Sequence, residues 1–550
     1  VTKTKLQKYS PFHTKLSQSF QWKTHWLWST LFFFLLLRLF WCINFPMAND
    51  EVYYWDWSRH LQLSYVDAPP FVAWISYVGS ILFSGSFGAR FLLPFIHIGT
   101  TIFIILSSKK IAEITHQQFS NETVIAILIL TQLAPVFNLE GIILLPDGSL
   151  LFGIAGALYF LLKALHENII KNHNALNIKY GLFFGIFLGI SALSKYHALP
   201  IAIGFFIGTI LLRSFEKSIK DIPFWITTVI SAFIISSPVF IWNYLNNFAS
   251  FHFQSQHGFS GFSFQIKPFL RYLFGSMFYL LPWFFIPLFY FAFKGIQKKS
   301  SLKSIHTICI LPFFILFFII LFSSLGKQAL PHWAMPGFLL LIPAFCVTWK
   351  PFTGKYRKIW KKLTFTSIGI CILIPSFLSI PLTNQIIVNT FTKIIGNADP
   401  LFQAFVWQNL QEDLEKQQNI KIVSAPYQQV NSIENCQNQY RIASLKWYWT
   451  SQIAFHFKNQ PKVYNFDFNN SSFYTWRDEI FKFAECKFII LGSMDHFNQN
   501  EIFKIMNVEE IKEFYLSPYY GETIVYIKGV LKEESTLKQV YAKMKGDIRY

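Results

Sequence analysis

The fold class predicted from the sequence is a polytopic α-helical membrane protein with about eleven or more transmembrane helices and a C-terminal α/β extracytoplasmic domain. Three observations predict it. Apolar runs of roughly 17–25 residues recur along most of the chain, each bounded by Lys or Arg. Of the 550 residues, 53% are hydrophobic and only 14% charged, too few charges for a soluble chain of this length. After about Thr383 the composition turns polar and mixed, which divides the chain into a membrane domain, 1–384, and a second domain, 385–550.

The positive-inside rule orders the spans. The basic stretch "VTKTKLQKYSPFHTK" puts the N-terminus in the cytoplasm and sends the first span, Trp26–Phe45, outward. Its basic flank and apolar core look like a signal peptide but lack a small-x-small cleavage site, so the segment reads as a retained helix. "FVAWISYVGSILF", Phe71–Phe83, is too short to span and reads as a helix lying along the outer interface. Spans then alternate. One descends from Arg90 to Ser107, one rises from Glu122 to Leu139, and one descends to Lys163. The next rises from Tyr180 to "SALSKYHA", and its successor descends to "RSFEKSIK". Pro223–Trp242 rises, a further span descends to "KGIQKKSSLK", and the last three end with a rise over Leu363–Leu382. Inward turns carry Lys or Arg, while outward turns hold most of the Asp, His and Asn. An odd number of spans places the C-terminal domain outside. There "FQAFVWQNLQEDLEKQQ" has helical spacing, and "KIVSA", "PKVYNF", "KFIILGS" and "ETIVYIKGV" read as strands.

The net charge of +19 sits at the ends of apolar runs, so topology accounts for it without a nucleic-acid partner. The six cysteines form no CxxC pair, which argues against a zinc finger. Cys42, Cys309, Cys346 and Cys371 lie in apolar runs as packing residues. Cys436 and Cys486 fall in the polar tail and are available to bridge in an oxidising compartment.

Several polar constellations share one side of the membrane. In "ANDEVYYWDWSRHLQLSYVDAPP", Asp50 and Glu51 sit among Tyr53, Tyr54, Trp55 and Trp57 at headgroup depth. Either they cap an interfacial helix, or a costly carboxylate there orients or deprotonates an incoming hydroxyl. "LLPDGSL" puts Asp147 in a turn or helix cap on the same face. "LSKYHALP" places Lys195, Tyr196 and His197 between two spans, as a snorkelling lysine or as a phosphate-binding nest. "GKQALPHWAMP" repeats the pattern with Lys327 and His332, and Trp242, Asn243, His252, Gln254 and His257 follow in another outer loop. Cations at that depth suit a lipid phosphate leaving group, and a carboxylate opposite suits the nucleophile. With no GxxxxGK[ST] loop, and with these groups facing away from cytoplasmic nucleotides, an activated sugar would have to arrive on a lipid carrier.

These motifs, in order from Trp26 to Thr383, resemble the bacterial members of the protein O-mannosyltransferase and lipid A aminoarabinose transferase superfamily, integral membrane glycosyltransferases of the GT-C fold. The resemblance implies transfer of a sugar from polyprenyl phosphate, typically undecaprenyl phosphate, with inversion. It implies Asp50 as the candidate base, Glu51 and Asp147 as its carboxylate partners, and Lys195 as part of a Lys-Tyr pair of the bacterial branch. Where the aminoarabinose transferases carry Glu-Lys-Pro, this chain reads Asp67-Ala68-Pro69, so their phosphate-contacting lysine is missing and Lys195, Arg59 or His257 compensates. A divalent metal would require Asp67 with His252. The expectation is a glycosyltransferase of the bacterial inner membrane, with its site at the periplasmic face. Its expected partners are a polyprenyl-phosphate-linked sugar donor and a lipid A, lipopolysaccharide or other envelope-glycan acceptor. A protein hydroxyl is the runner-up acceptor. A transporter or a non-catalytic lipid-binding factor is the rival from another class; a transporter would favour ionisable groups near mid-bilayer.

Overall fold

A computed structural model describes residues 24–170, 173–213, 215–259, 265–297, 304–326, 329–349, 357–380, 407, 410–418, 440–466, 483–514 and 523–547. The basic N-terminal stretch, Lys327, Cys436, "KIVSA" and the 384/385 domain boundary lie outside these residues. Seven described helices are long and apolar enough to cross a membrane: His25–Asn44, Gly85–Ile114, Pro146–Ile170, Ile222–Leu245, Thr307–Ser324, Pro331–Thr348 and Arg357–Leu378. The protein is a multi-pass membrane protein.

Four of the expected spans depart from single full-length helices for local reasons. The run over Glu122–Leu139 breaks into Asn121–Gln132 and a short turn at Pro135–Leu139. Pro135 offers no N–H to the helix ladder and biases the preceding Ala134 to an extended conformation (φ −88°, ψ 126°), so the break falls there. Ile178–Ser194 and Ala198–Leu212 are apolar but short of full span length, and the break between them carries Lys195, Tyr196 and His197. The descent expected towards "KGIQKKSSLK" is a pair, Ile266–Leu280 and Pro282–Gln297, bent by 109°. Leu281 turns the chain with φ 73°, just before Pro282.

Close helix contact replaces hydrophobic driving force inside a bilayer. Gly181, Gly185 and Gly189 repeat every fourth residue along Ile178–Ser194 and so share one face. That face lies against Ile222–Leu245: a Cβ at Gly185 would stand 2.3 Å from the Thr228 carbonyl oxygen, and one at Gly181 2.8 Å from that of Phe224. This contact sets the spacing of the two helices whose ends carry Lys195 and Asn243.

The C-terminal domain is a five-stranded sheet in the order β2-β1-β3-β5-β4. β1 (Arg441–Ser444), β2 (Val463–Asn465) and β3 (Lys487–Ser493) run parallel, while β5 (Ile524–Leu531) pairs antiparallel to both β3 and β4 (Met506–Phe514). β3, central and paired on both edges, is buried from Phe488 to Ser493, as a near-continuous apolar run predicts. β4 is an edge strand, and the exposed Glu509, Lys512 and Glu513 blunt it against pairing with another chain. β1 and β4 were not among the strands expected from the sequence. Cys486 is disulfide-bonded, and its sequence-suggested partner, Cys436, lies outside the described residues.

The two domains share a core. The helix Trp447–His456 connects β1 to β2 and packs on the juxtamembrane helix Asn49–Arg59. Val52, Trp55, Trp57 and Tyr65 join Trp449, Ile453, Leu410 and Leu414 in one hydrophobic cluster. Across this seam Gln452 Nε2 donates to Asn49 Oδ1 at 2.9 Å.

Gly185→Leu forces its side chain into the Thr228 backbone, an overpacking that costs about 1–3 kcal/mol. The expected outcome is a lower melting temperature of the detergent-solubilised protein, whereas the same change at Gly369, where a Cβ meets nothing within 4 Å, leaves it in place.

Candidate active site

The juxtamembrane helix begins at Asn49 and places two neighbouring carboxylates in different surroundings. Successive residues on a helix point about 100° apart. Glu51 turns inward and is fully buried. Its Oε1 accepts from Arg90 Nε at 2.7 Å and from the Leu144 amide at 2.8 Å. Its Oε2 accepts from Arg90 Nη2 at 2.5 Å and from the Ala48 amide at 3.0 Å. Arg90, equally buried, also donates to the carbonyls of Phe45 and Pro46 at 2.6 and 2.9 Å. With four donors on one carboxylate, Glu51 is saturated. It ties the end of the first span, the head of the second span and the turn before Asp147 together, a supporting place among the carboxylates expected at the site.

Asp50 turns the other way and keeps solvent access. Surrounding protein nevertheless raises its carboxyl above the ordinary aspartate value; Glu51 and Asp67 add like charge, and Lys195 opposes them. Access combined with desolvation describes a group lining a cleft. Half-buried Tyr54 stands in the field of Asp50, Asp67 and Asp147 together, and burial followed by these three charges pushes its phenol well up.

Asp147 occupies the first turn of Pro146–Ile170, where the helix N-terminus favours a carboxylate. Lys195 ends the helix Ile178–Ser194 in an extended conformation that frees its side chain from the helix face. Its ammonium donates to Asp147 Oδ1 at 2.8 Å and Oδ2 at 2.7 Å. The lysine side chain is 16% exposed and the aspartate 5%, so the cation is the member of the pair that reaches the cleft. His197 and His332 both lie within electrostatic reach of Asp147. His197 stacks edge-on to Trp333 with ring centres 6.0 Å apart, and His332 lies beside Tyr279. Tyr196 shares a 2.7 Å hydrogen bond with Ser250 Oγ.

Other expected residues are used differently. Arg59 engages the C-terminal domain: its Nη2 donates to the Gln460 and Pro461 carbonyls, both at 3.1 Å, its Nη1 lies 3.5 Å from Asp56 Oδ1, and its guanidinium lies over Trp55, 4.9 Å from the ring centre. It clamps the C-terminal domain. Asn243 is buried, donates to the Val239 carbonyl at 2.9 Å and accepts from the Phe251 amide at 3.3 Å, so it shapes the loop behind Tyr196. Asp67 accepts a hydrogen bond from the Tyr53 hydroxyl, and its carbonyl accepts from Gln254 Nε2 at 2.7 Å. His252 is exposed. Among the described residues no group of three or more His, Cys, Asp or Glu side chains gathers to hold a metal ion, and no step is routed through one. Lys327 and the side chain of His257 lie outside the described atoms.

Two groups escaped the sequence reading. Arg90 was taken only as the head of a span, although an arginine beside lipid demands a partner. Glu140, seven residues before Asp147, is 7% exposed and within electrostatic reach of both Asp147 and Lys195.

Removing one member of the buried Glu51–Arg90 pair strands the other, which costs about 3–5 kcal/mol. Glu51→Ala and Arg90→Ala are each expected to collapse the yield of monodisperse protein, while Asp50→Asn leaves size-exclusion behaviour and melting temperature intact.

Comparison with known proteins follows the same lines. Residues 67–242, which include Asp67, Asp147, Lys195 and Trp242, match the family described as dolichyl-phosphate-mannose-protein mannosyltransferase. A lipid A galacturonosyltransferase, RgtD, of Rhizobium johnstonii is 27% identical over 209 residues, which cover 36% of this chain and 40% of that relative. The matched segment therefore spans less than half of that protein's length. The crystal structure of ArnT from Cupriavidus metallidurans bound to undecaprenyl phosphate superposes with a TM-score of 0.59 at 13% identity, covering 92% of this chain and 98% of that one. The apo form of the same protein gives 0.57 at 12% identity. In architecture, this chain has the ArnT-like GT-C fold.

Proposed function

We propose that this protein is an inverting glycosyltransferase that moves a sugar from a polyprenyl-phosphate donor to lipid A or another envelope glycan at the periplasmic face of a bacterial inner membrane. The observation that carries the reading is the Lys195 ammonium. It is held by Asp147 at 2.8 and 2.7 Å and shares one electrostatic field with Asp50 across the cleft. The ArnT neighbour, crystallised with undecaprenyl phosphate, and the lipid A galacturonosyltransferase relative support the donor and acceptor classes. A protein hydroxyl as acceptor is the second reading, favoured by the family description attached to 67–242.

In this mechanism Asp50 takes the proton of an acceptor hydroxyl, whose oxygen attacks the anomeric carbon from the face opposite the phosphate. The bond from that carbon to the phosphate oxygen breaks, and the configuration inverts. Lys195, with His197 and His332 beside Asp147, stabilises the charge that collects on the departing lipid phosphate. Tyr54, in the field of Asp50, Asp67 and Asp147, lines the space between. The aromatic wall of the juxtamembrane helix and the C-terminal domain above it exclude water and help select the acceptor.

Losing a general base lowers rate by about 10²–10⁴-fold. Asp50→Asn is therefore expected to abolish the cell's modified lipid A or envelope glycan by mass spectrometry at unchanged protein level; an unaltered glycan profile removes Asp50 from the chemistry. The same spectra distinguish a lipid from a protein acceptor. Because Asp50 works as the deprotonated base and its pKa is raised, activity falls as pH drops through that raised value. Asp67→Asn removes a like charge from its surroundings, so the acid limb of the rate profile moves to lower pH.

A further inference from the structure

Glu140 lies in the irregular turn between the short helix Pro135–Leu139 and the helix that opens with Asp147. It is 7% exposed, and its Oε2 finds no hydrogen-bond partner among the described residues. A carboxyl oxygen left unpaired in such a place is costly, so it calls for an occupant or a task. The turn is held close against the Asp147 helix: a Cβ at Gly148 would stand 2.6 Å from the Glu140 carbonyl oxygen. The charged groups facing Glu140 are Asp147 and Lys195. On the other side of the turn, Arg38 and His97 lie against the next residue, Gly141, and Arg38 Nη2 is engaged by Asn138 Oδ1 at 2.8 Å.

The arrangement poses a problem for lipid-phosphate binding. Asp147 takes two of the three N–H donors of the Lys195 ammonium, so a phosphate that recruits more than the third has to draw the lysine away. The carboxylate left behind is 5% exposed and has lost its cation. A buried carboxylate without a donor is costly. We propose that Glu140 is a positioning residue that carries a proton and donates it as a hydrogen bond to Asp147 when Lys195 swings to the lipid phosphate. No bond to the substrate forms or breaks in this step. The proton stays shared between two carboxyl oxygens, and the net charge of the pocket changes only by that of the phosphate. Burial and the charge of Asp147 favour the protonated form, raising the Glu140 pKa well above the ordinary glutamate value. This role rests on the lipid-phosphate reading of Lys195 proposed above.

The test is equilibrium binding of undecaprenyl phosphate in phosphatidylcholine vesicles to the full-length protein as a function of pH. Wild-type affinity is expected to fall on the alkaline side, as Glu140 loses its proton and two carboxylates then compete for Lys195. Glu140→Ala leaves the released Asp147 without a donor and weakens binding about tenfold near neutral pH. Glu140→Gln donates without titrating, so it restores affinity to near wild type and abolishes the alkaline fall. Glu140→Ala binding as tightly as wild type, or Glu140→Gln keeping the same alkaline fall, overturns the proposal while leaving lipid-phosphate recognition standing. Wild-type protein that binds no undecaprenyl phosphate overturns the function reading and this inference with it.

Discussion

The buried pair Glu51–Arg90 is the constraint on which the rest of the site depends. Its six hydrogen bonds join the end of the first span, the start of the juxtamembrane helix, the head of the second span and the turn that leads into Asp147. A charge pair in such surroundings forms only when nearly every donor and acceptor is satisfied, because desolvation otherwise exceeds the Coulomb gain. Here each oxygen of the carboxylate has two donors, and three guanidinium nitrogens have acceptors. What the pair contributes is registration: it aims Asp50 into the cleft and fixes the height of Asp147 relative to it.

A second anchor comes from the C-terminal domain. Trp55 meets Phe455 edge-on with ring centres 4.9 Å apart, and Tyr53 lies 4.8 Å from Trp447. The aromatic residues that announced a headgroup belt thus spend much of their surface on protein instead of lipid. They hold the juxtamembrane helix from one side while Glu51 holds it from the other. Between these fixtures the polar groups of the cleft, Asp50, Tyr54, Asp147 and Lys195, retain the partial access a substrate requires.

Much of this was legible in the sequence because the bilayer leaves few choices. Backbone groups in lipid have to be satisfied within helices, so apolar runs with basic ends declare themselves. Asp147 and Lys195, 48 residues apart, could be expected to meet because alternating spans bring both turns to one side. Glu51 could not be read, since nothing in "NDEV" tells which of two adjacent carboxylates faces a cleft and which an arginine 39 residues away. Part of the Arg59 surroundings could not be read either: two of its acceptors are backbone carbonyls more than 400 residues on, which no local pattern encodes. The Gly181–Gly185–Gly189 repeat was written in plain spacing yet is easily lost inside a run selected for hydrophobicity. Glu140 hid in a turn without periodicity, where only packing gives a residue its neighbours.

The shared core between Asn49–Arg59 and Trp447–His456 has a consequence for how such proteins diversify. Composition divides the chain near Thr383, but the physical seam runs through the first hundred residues, because the juxtamembrane helix gives one side to each half. A recombination event that traded only the tail for a foreign one would strip indole and phenyl rings of their mates. Exchangeable modules in this lineage would therefore be discontinuous, with the tail inherited alongside a short early segment of the chain.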